Sequence, residues 1–163
     1  MSEPDLGRIR AVMLDVDGVL TDDGFWWDGA GQELKRFCFL DVMGISRAGR
    51  AGLRFALCSG EDSAIVTRYA AKLAINDVYL GCKDKAAALR DFAARHDLAL
   101  EAVAFMGNDV NDVEAMEIAG LAAVPADAHP SVARRAALVT KRAAGHGAVR
   151  ELLDMLVPSI NPS

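Results

Sequence analysis

The sequence predicts an α/β fold: a Rossmann-like, doubly wound and mostly parallel sheet flanked by helices. Two observations support this prediction. Short apolar strands alternate with helices along the chain, and the polar residues that could carry chemistry follow directly after those strands. Parallel strands joined by right-handed crossovers bring their carboxyl ends to one edge, where such sheets bind ligands. With 163 residues and 52% hydrophobic composition, we expect residues 1–163 to form one domain.

The first strand is predicted by the apolar run from Ile9 to Leu14, which leads into Asp15 and Asp17. A buried strand would project both carboxylates into a crevice at its end. Like charges this close are costly unless a cation shares them, and Mg2+ prefers oxygen ligands. With phosphate on the same metal, Asp15 could attack phosphorus while Asp17 serves as general acid and then base. The alternative is an ordinary turn in which Asp17 and Gly18 cap the strand.

The next feature is a β-hairpin predicted within an insertion of about residues 22–41. Residues 25–27 and 33–37 flank the glycine-containing turn Asp28–Gly31. A two-stranded ribbon alone is marginally stable. Its aromatic side chains must therefore pack either on their own subunit or in an oligomer surface. These aromatic residues are Trp26, Trp27, Phe37 and Phe39.

The remaining elements alternate regularly between strand and helix. Apolar residues spaced three and four apart predict the helices, at about 43–50, 63–73, 85–96, 111–119 and 148–156. Short apolar runs predict the strands, at 54–60, 78–80, 103–106 and 121–124. Residues 158–163 are expected to form a loose tail.

The segment from Asp15 to Asp22, DVDGVLTD, resembles the first motif of the haloacid dehalogenase superfamily of phosphotransferases. The resemblance implies that Ser59, at the end of the second strand, hydrogen-bonds the transferring phosphoryl group. It also implies that Lys85 holds the phosphate, with Lys83 as the alternative. A metal, a lysine and hydrogen-bond donors around one phosphate are sufficient parts for phosphoryl transfer.

The last motif of the superfamily matches the loop that follows the strand at 103–106, and it implies a metal ligand at Asn108. Many members have an aspartate there. An amide carbonyl can coordinate Mg2+ but carries no charge, so we expect weaker metal affinity unless Asp109 or Asp112 compensates as a supporting or alternative ligand. Asparagine at this position of the motif is also a point of resemblance to the carboxyl-terminal domains of acylneuraminate cytidylyltransferases. A catalytically weak oligomerisation or partner domain is therefore the alternative function.

Within the superfamily, the chain resembles the small capless phosphatases of 3-deoxy-2-ulosonic sugar acid phosphates. The resemblance implies a homotetramer whose subunits cap each other's active sites, since no large cap is present. It also implies a small-molecule substrate contacted by Gly60, Glu61, Lys72 and Arg150, the last as a clamp for the sugar carboxylate. Taken alone, Arg150 would be a solvated residue at the start of the helix at 148–156. The segments that carry it are DVDGVLTD, residues 31–37, residues 124–130 and residues 145–151.

The substrate could have eight or nine carbons. Octulosonate phosphatases of this branch usually have Gly-Arg after the second strand and Arg-Asp-Gly near the end of the hairpin. This chain has Gly60-Glu61 and Leu40-Asp41-Val42, so both cationic positions are lost. That resembles the nonulosonate side of the branch. The expected substrate is KDO 8-phosphate (KDO is 3-deoxy-D-manno-octulosonate) or a nine-carbon KDN or N-acylneuraminate 9-phosphate.

Composition argues against several other classes of protein. The net charge of −5 provides no basic field for nucleic acid or an anionic membrane. No apolar run approaches the length of a membrane span and residues 1–8 are polar, so we expect a cytoplasmic protein. Cys38, Cys58 and Cys82 are odd in number and lack CxxC spacing, which indicates buried thiols rather than disulfides or a zinc site.

Overall fold

The computed structural model describes residues 5–158. The strands are β1 (Ala11–Asp15), β2 (Trp26–Trp27), β3 (Glu33–Leu34), β4 (Arg54–Cys58), β5 (Asp77–Tyr79), β6 (Val103–Met106), β7 (Leu121–Val124) and β8 (Leu138–Val139). The helices are α1 (Phe39–Arg50), α2 (Ala64–Lys72), α3 (Lys85–Arg95), α4 (Val113–Ile118), α5 (Pro130–Ala133) and α6 (Ala148–Leu156). Short 3-10 helices lie at Leu6–Arg8, Leu100–Ala102 and Val110–Asp112.

The main sheet has six strands in the order β5-β4-β1-β6-β7-β8, and every neighbouring pair is parallel. This confirms the predicted fold class. Strand β1 lies in the middle, with Asp15 beside Cys58 of β4 and Leu14 beside Met106 of β6. The chain builds the sheet outward from β1 in both directions, which opens a crevice at the carboxyl end of β1.

Apolar side chains cover both faces of the sheet, which explains why the first strand is an unbroken apolar run. Val12 and Leu14 face one layer, which includes Ile45 of α1 and Leu152 of α6. Ala11 and Met13 face the other, built mainly from α3, α4 and the neighbouring strands. With both faces covered, the chemistry of β1 is confined to its carboxyl end.

Several boundaries differ from the prediction. Helix α1 begins at Phe39 rather than near Met43. The sequence did not reveal this start, because Cys38 provides no side-chain cap and the exposed Phe39 and Leu40 obscure the apolar periodicity. Helix α4 begins at Val113, after the 3-10 turn Val110–Asp112. Two short elements, α5 and β8, were not predicted. The expected tail at 158–163 lies, apart from Pro158, outside the described residues.

The predicted hairpin is confirmed, as a two-stranded antiparallel sheet of β2 and β3 separate from the main sheet. Phe37 stacks on Tyr69 at a ring separation of 4.1 Å and so packs on its own chain. Trp26, Trp27 and Phe39 are 56%, 67% and 70% exposed, and Trp27 also contacts Phe25 at a ring separation of 5.0 Å. Phe37 therefore follows the first alternative, and an oligomer surface formed by the exposed aromatic residues stays a prediction.

Two further expectations concern the whole chain. Cys38 and Cys58 are buried, Cys82 is partly buried, and all three are free. Among residues 5–158, no helix combines the length and the apolar character needed to span a bilayer.

Candidate active site

The carboxyl edge of the sheet gathers the residues of the predicted motifs. Asp15 is the last residue of β1, Ser59 directly follows β4, and Lys85 is the first residue of α3. The Lys85 Nζ lies 3.0 Å from Asp15 Oδ1 and 2.6 Å from Asp112 Oδ1. All four side chains are buried, with Asp15 5% and Lys85 3% exposed. A single ammonium group therefore joins the predicted nucleophile to the loop after β6.

Three polar groups converge beside this ion pair. The Asn108 amide lies against Asp15 Oδ2 and the Asp17 carbonyl oxygen, and with its nitrogen turned inward it donates to them over 3.1 and 3.0 Å. When no metal is bound, the amide nitrogen of Asn108 faces these two oxygens and donates to them. With a cation bound, the amide would turn its oxygen inward as a ligand. Carboxylate, amide and backbone carbonyl oxygens are ligands that Mg2+ accepts. The residues present therefore fit the predicted metal.

Gly18 makes this convergence possible. Its φ is +79°, a left-handed conformation that glycine adopts readily, and a Cβ added there would lie 2.0 Å from Asn108 Nδ2. A larger residue would push the amide away from the other two oxygens. The glycine of the DVDGVLTD motif is thus required by close approach of the two loops.

The other two predicted ligands have different partners. Asp112 Oδ1 contacts Lys85, and its Oδ2 accepts from the backbone N–H groups of Asn108 (2.8 Å) and Asp109 (3.1 Å). The Asp109 side chain is exposed and accepts from the Val110 N–H. Asp112 therefore positions Lys85 and the loop that carries Asn108. Among residues 5–158, His, Cys, Asp and Glu side chains form no potential metal-binding group of three or more, since the oxygens here are of mixed type.

Burial governs the electrostatics of the pair. Burial, and secondarily the charge of Asp112, raises the pKa of Asp15 from 3.8 to about 7, while Lys85 opposes the shift. Burial by itself would lower the pKa of Lys85, but the two carboxylates outweigh it and raise that pKa. Lys85 therefore stays charged, and Asp15 gains a proton near neutral pH when no metal is bound.

We expect Mg2+ affinity to fall as the pH is lowered through about 7, because a proton and the metal then compete for Asp15. Well below that pH, each unit should weaken binding by about tenfold. Isothermal titration of the metal-free protein with Mg2+ between about pH 5 and pH 8 measures this. An affinity that does not change with pH would contradict the assigned role of Asp15.

Asp17 has a partner that sequence reasoning missed. The Lys35 Nζ donates to Asp17 Oδ1 at 2.6 Å and lies 3.5 Å from Glu33. The Lys35 side chain is 6% exposed. Burial would lower its pKa, but the hydrogen bond to Asp17 and the acidic charges raise it. The only available signal was its place in residues 31–37, a segment that carries the family resemblance. The hairpin thus reaches the predicted acid-base residue.

The two lysines weighed for phosphate binding occupy different environments. Lys83 is exposed, and its Nζ donates to the Gly60 carbonyl oxygen at 2.9 Å, whereas Lys85 is buried against Asp15. The Ser59 Oγ accepts from the Glu61 N–H at 3.1 Å, which holds this hydroxyl at the start of the turn. Lys85 alone of the two lysines contacts the predicted nucleophile.

The remaining predicted substrate residues lie further out. Glu61 is exposed. Lys72 lines a cavity of about 380 Å3, and Lys35, which pairs with Asp17, lines it as well. The Arg150 Nε lies 2.8 Å from Asp154 Oδ1 on the same helix, and the structure does not bring this guanidinium to Asp15. Its role in substrate binding stays a prediction.

Comparison with known proteins gives concordant results. The model of the haloacid dehalogenase-like hydrolase family matches residues 75–152. The 3-deoxy-D-manno-octulosonate 8-phosphate phosphatase of Escherichia coli (strain K12) is 40% identical over 150 residues, which are 92% of this chain and 80% of that protein.

Two solved structures extend this similarity to three dimensions. The crystal structure of the Yersinia pestis 3-deoxy-D-manno-octulosonate 8-phosphate phosphatase has a TM-score of 0.92 at 33% identity, covering 95% of this chain and 84% of that chain. The Moraxella catarrhalis phosphatase of the same name was solved with a magnesium ion, a phosphate ion and KDO. It has a TM-score of 0.91 at 28% identity, covering 94% of this chain and 88% of that chain.

Proposed function

This chain belongs to the haloacid dehalogenase-like hydrolases and is a phosphatase, and from that premise we propose its reaction. We propose that it uses Mg2+ to hydrolyse the phosphomonoester of a 3-deoxy-2-ulosonic sugar acid. The reaction proceeds through a phosphorylated Asp15. The observation that carries the proposal is the approach of the Asn108 amide to Asp15 Oδ2 and the Asp17 carbonyl oxygen, next to a lysine that contacts the nucleophile.

Each residue of the site has a part in the proposed mechanism. An Asp15 oxygen attacks phosphorus, and the bond from phosphorus to the ester oxygen breaks as Asp17 donates a proton to that oxygen. Asp17 then takes a proton from water, which attacks the aspartyl phosphate, releases phosphate and restores Asp15. Ser59 and Lys85 donate hydrogen bonds to the phosphoryl oxygens throughout.

Magnesium would be held by the Asp15 carboxylate, the Asp17 carbonyl oxygen and the Asn108 amide oxygen. When bound there, it neutralises charge on the phosphoryl group. The backbone carbonyl of Asp17 serves the metal, so its side chain is left for proton transfer. This division of labour gives the Asp15 and Asp17 side chains separate roles.

The eight-carbon substrate is supported by the relatives. The E. coli and Y. pestis proteins are KDO 8-phosphate phosphatases, and the M. catarrhalis enzyme was solved with KDO. The nine-carbon substrates are favoured by three residues of this chain, Glu61, Leu40 and Val42. Glu61 would repel an acidic group but can accept a hydrogen bond from a hydroxyl or amino group.

A phosphate-release assay across eight- and nine-carbon ulosonate phosphates, with and without Mg2+, tests the proposal. We expect Mg2+-dependent turnover of at least one of them. Absence of turnover across the panel, in protein shown to be folded, would instead support the alternative of a weak oligomerisation or partner domain. The ranking of substrates distinguishes the eight-carbon from the nine-carbon assignment.

Replacing Glu61 by arginine should raise the preference for the eight-carbon over the nine-carbon substrate. A hydrogen-bond partner for the larger sugar is lost and a cation is gained, for which we expect a change in the kcat/KM ratio of about tenfold or more. Asp62→Arg is the matched control, since it makes the same charge change at the neighbouring exposed residue. Equal ratios for both variants would contradict a specific role for Glu61.

Replacing Asn108 by aspartate should strengthen Mg2+ binding, because a full negative charge then replaces the amide oxygen among the three ligands. We expect the Mg2+ concentration for half-maximal activity to fall by about tenfold, the change produced by about 1.4 kcal/mol. Asn111→Asp adds the same charge at an exposed site nearby and should have little effect. A similar shift in both variants would indicate only a general charge effect.

The exposed hairpin supports the proposed homotetramer with shared caps. Trp26 and Trp27 are 56% and 67% exposed on a two-residue strand, and a neighbouring subunit would cover this apolar surface. Light scattering at working concentration tests this assembly. A monomer under those conditions would rule it out.

A further inference from the structure

Helix α6 begins without a cap of its own. Its N-cap residue is Gly147, which has a φ of +98° and no side chain to accept hydrogen bonds from the first turn. The acceptor comes instead from α1, where Asp41 Oδ1 accepts from the Arg150 N–H at 2.8 Å. The close approach of the helices at Gly44 makes this possible, since a Cβ there would lie 3.2 Å from the Arg150 Cα.

The chain just before α6, residues 143–147, packs on the loop that follows Asp17. The Gly145 N–H donates to the Val19 carbonyl oxygen at 3.2 Å. A Cβ added at Gly145 would lie 2.6 Å from the Asp22 backbone nitrogen, so the two loops are in close backbone contact. Arg36 holds the same segment from the hairpin side, through a 2.9 Å hydrogen bond to the Gly145 carbonyl oxygen.

Asp41 occupies an unfavourable environment for a carboxylate. It is fully buried, and burial raises its pKa to about 6 despite the opposing N–H groups of Arg150 and Gly147. Among the described residues, its Oδ2 has no hydrogen-bond partner, and neither does the nearby buried hydroxyl of Tyr69. A buried position between α1 and α6 would normally hold an apolar residue, because a buried carboxylate with an unpaired oxygen is costly. The presence of Asp41 there therefore needs an explanation other than packing.

We propose that Asp41 is a positioning residue for phosphoryl transfer: it anchors α6 so that residues 143–147 hold the loop from Val16 to Asp22 in its catalytic geometry. Asp41 itself does not touch the reacting atoms. It acts through the backbone of α6 and then through the contact of Gly145 with Val19 and Asp22. The proposal rests on the proposed function for its effect on rate, but the anchoring can be measured without any activity.

The test compares Asp41→Ala and Asp41→Asn with Asp77→Asn. Asp77 is also a buried acid, but it pairs with Arg95 and His96 at the start of β5, on the edge of the sheet opposite the site. Displacement of a catalytic group by about 1 Å can cost about 100-fold, so we expect Asp41→Ala to lower kcat by about 10- to 100-fold. Asp41→Asn retains an acceptor and should lose less. KM should change less than kcat.

Hydrogen exchange provides the second measurement. In Asp41→Ala, amides of residues 16–22 and 143–150 should exchange faster, while Asp77→Asn leaves them unchanged. If Asp41→Ala lowers the melting temperature as Asp77→Asn does but leaves kcat per folded molecule within about twofold, the role is only structural and the proposal is overturned. Unchanged exchange in both segments overturns it as well. If the parent protein shows no phosphatase activity, the proposed function fails, and the exchange data still decide the anchoring.

Discussion

Replacing Asp15 by asparagine should abolish turnover of every ulosonate phosphate, with a loss in kcat of about 10^4-fold or more, as for other covalent nucleophiles. The amide has nearly the same shape but cannot form the aspartyl phosphate. It also replaces an anionic ligand among the three groups that meet at Asp15, Asp17 and Asn108. Phosphate release under saturating Mg2+ measures the loss, which should not be recovered at higher metal concentration.

The same variant should remain folded, which separates lost chemistry from lost structure. Burial raises the pKa of Asp15 from 3.8 to about 7, so the native protein binds this proton more tightly than the unfolded chain does. In the metal-free parent, this group therefore reduces stability as the pH rises from about 4 to about 7. The neutral asparagine lacks that pH dependence, and Asp15→Asn should melt no lower than the parent at pH 8. A large drop in melting temperature would mean that the Asp15–Lys85 contact matters more than burial.

Replacing Lys85 by methionine should impair both stability and catalysis. The substitution keeps the length of the buried side chain but leaves Asp15 and Asp112 without the ammonium that contacts both. Breaking a buried ion pair from one side costs about 3–5 kcal/mol, and we expect a loss of unfolding free energy of that size in urea. Loss of the phosphate-holding cation should lower kcat/KM by about 10^2-fold or more, as for other groups that stabilise transition-state charge.

Lys83→Met is the matched control for this substitution. Lys83 lies two residues away, is exposed, and donates to the Gly60 carbonyl oxygen. Its loss should cost about 1 kcal/mol or less. The deficit of Lys85→Met should also be smaller near pH 7 than at higher pH. Without the ammonium, the pKa of Asp15 rises further, so Asp15 takes up a proton at a higher pH than in the parent and the two carboxylates then no longer repel each other. Equal deficits for the two lysine variants would contradict the assignment of Lys85.

The regular elements were predictable wherever the pattern was strong. Strands 103–106 and 121–124 and helix 148–156 have the predicted bounds, because each combines a clear apolar pattern with a marked end. The first turn of α1 was missed because Phe39 and Leu40 are exposed apolar residues, which hydrophobic periodicity treats as core. The two-residue strand β8 was missed because so short an element has no period of its own.

The site shows the same division. Four predicted residues lie in motifs that can be recognised along the chain, and the structure brings them to one edge. Asp15 ends β1, Ser59 and Asn108 come just after β4 and β6, and Lys85 begins α3. Lys35, Arg36 and Asp41 could not be found in that way. They act on Asp17, Gly145 and Arg150 over separations of 18 to 109 residues, and no local pattern predicts such contacts.

The sequence by itself determined which chemistry is available, because the groups that provide it are local features that occur in order along the chain. They are an acid pair after a buried strand, a hydroxyl, a lysine and a second polar loop. Only the tertiary structure decided how these groups are tuned. It places Lys85 between two buried carboxylates, turns the Asp17 side chain toward Lys35, and anchors α6 on Asp41. The physical reason is that strands and helices follow from neighbouring residues, whereas burial, pKa and loop position depend on groups that meet only when the chain has folded.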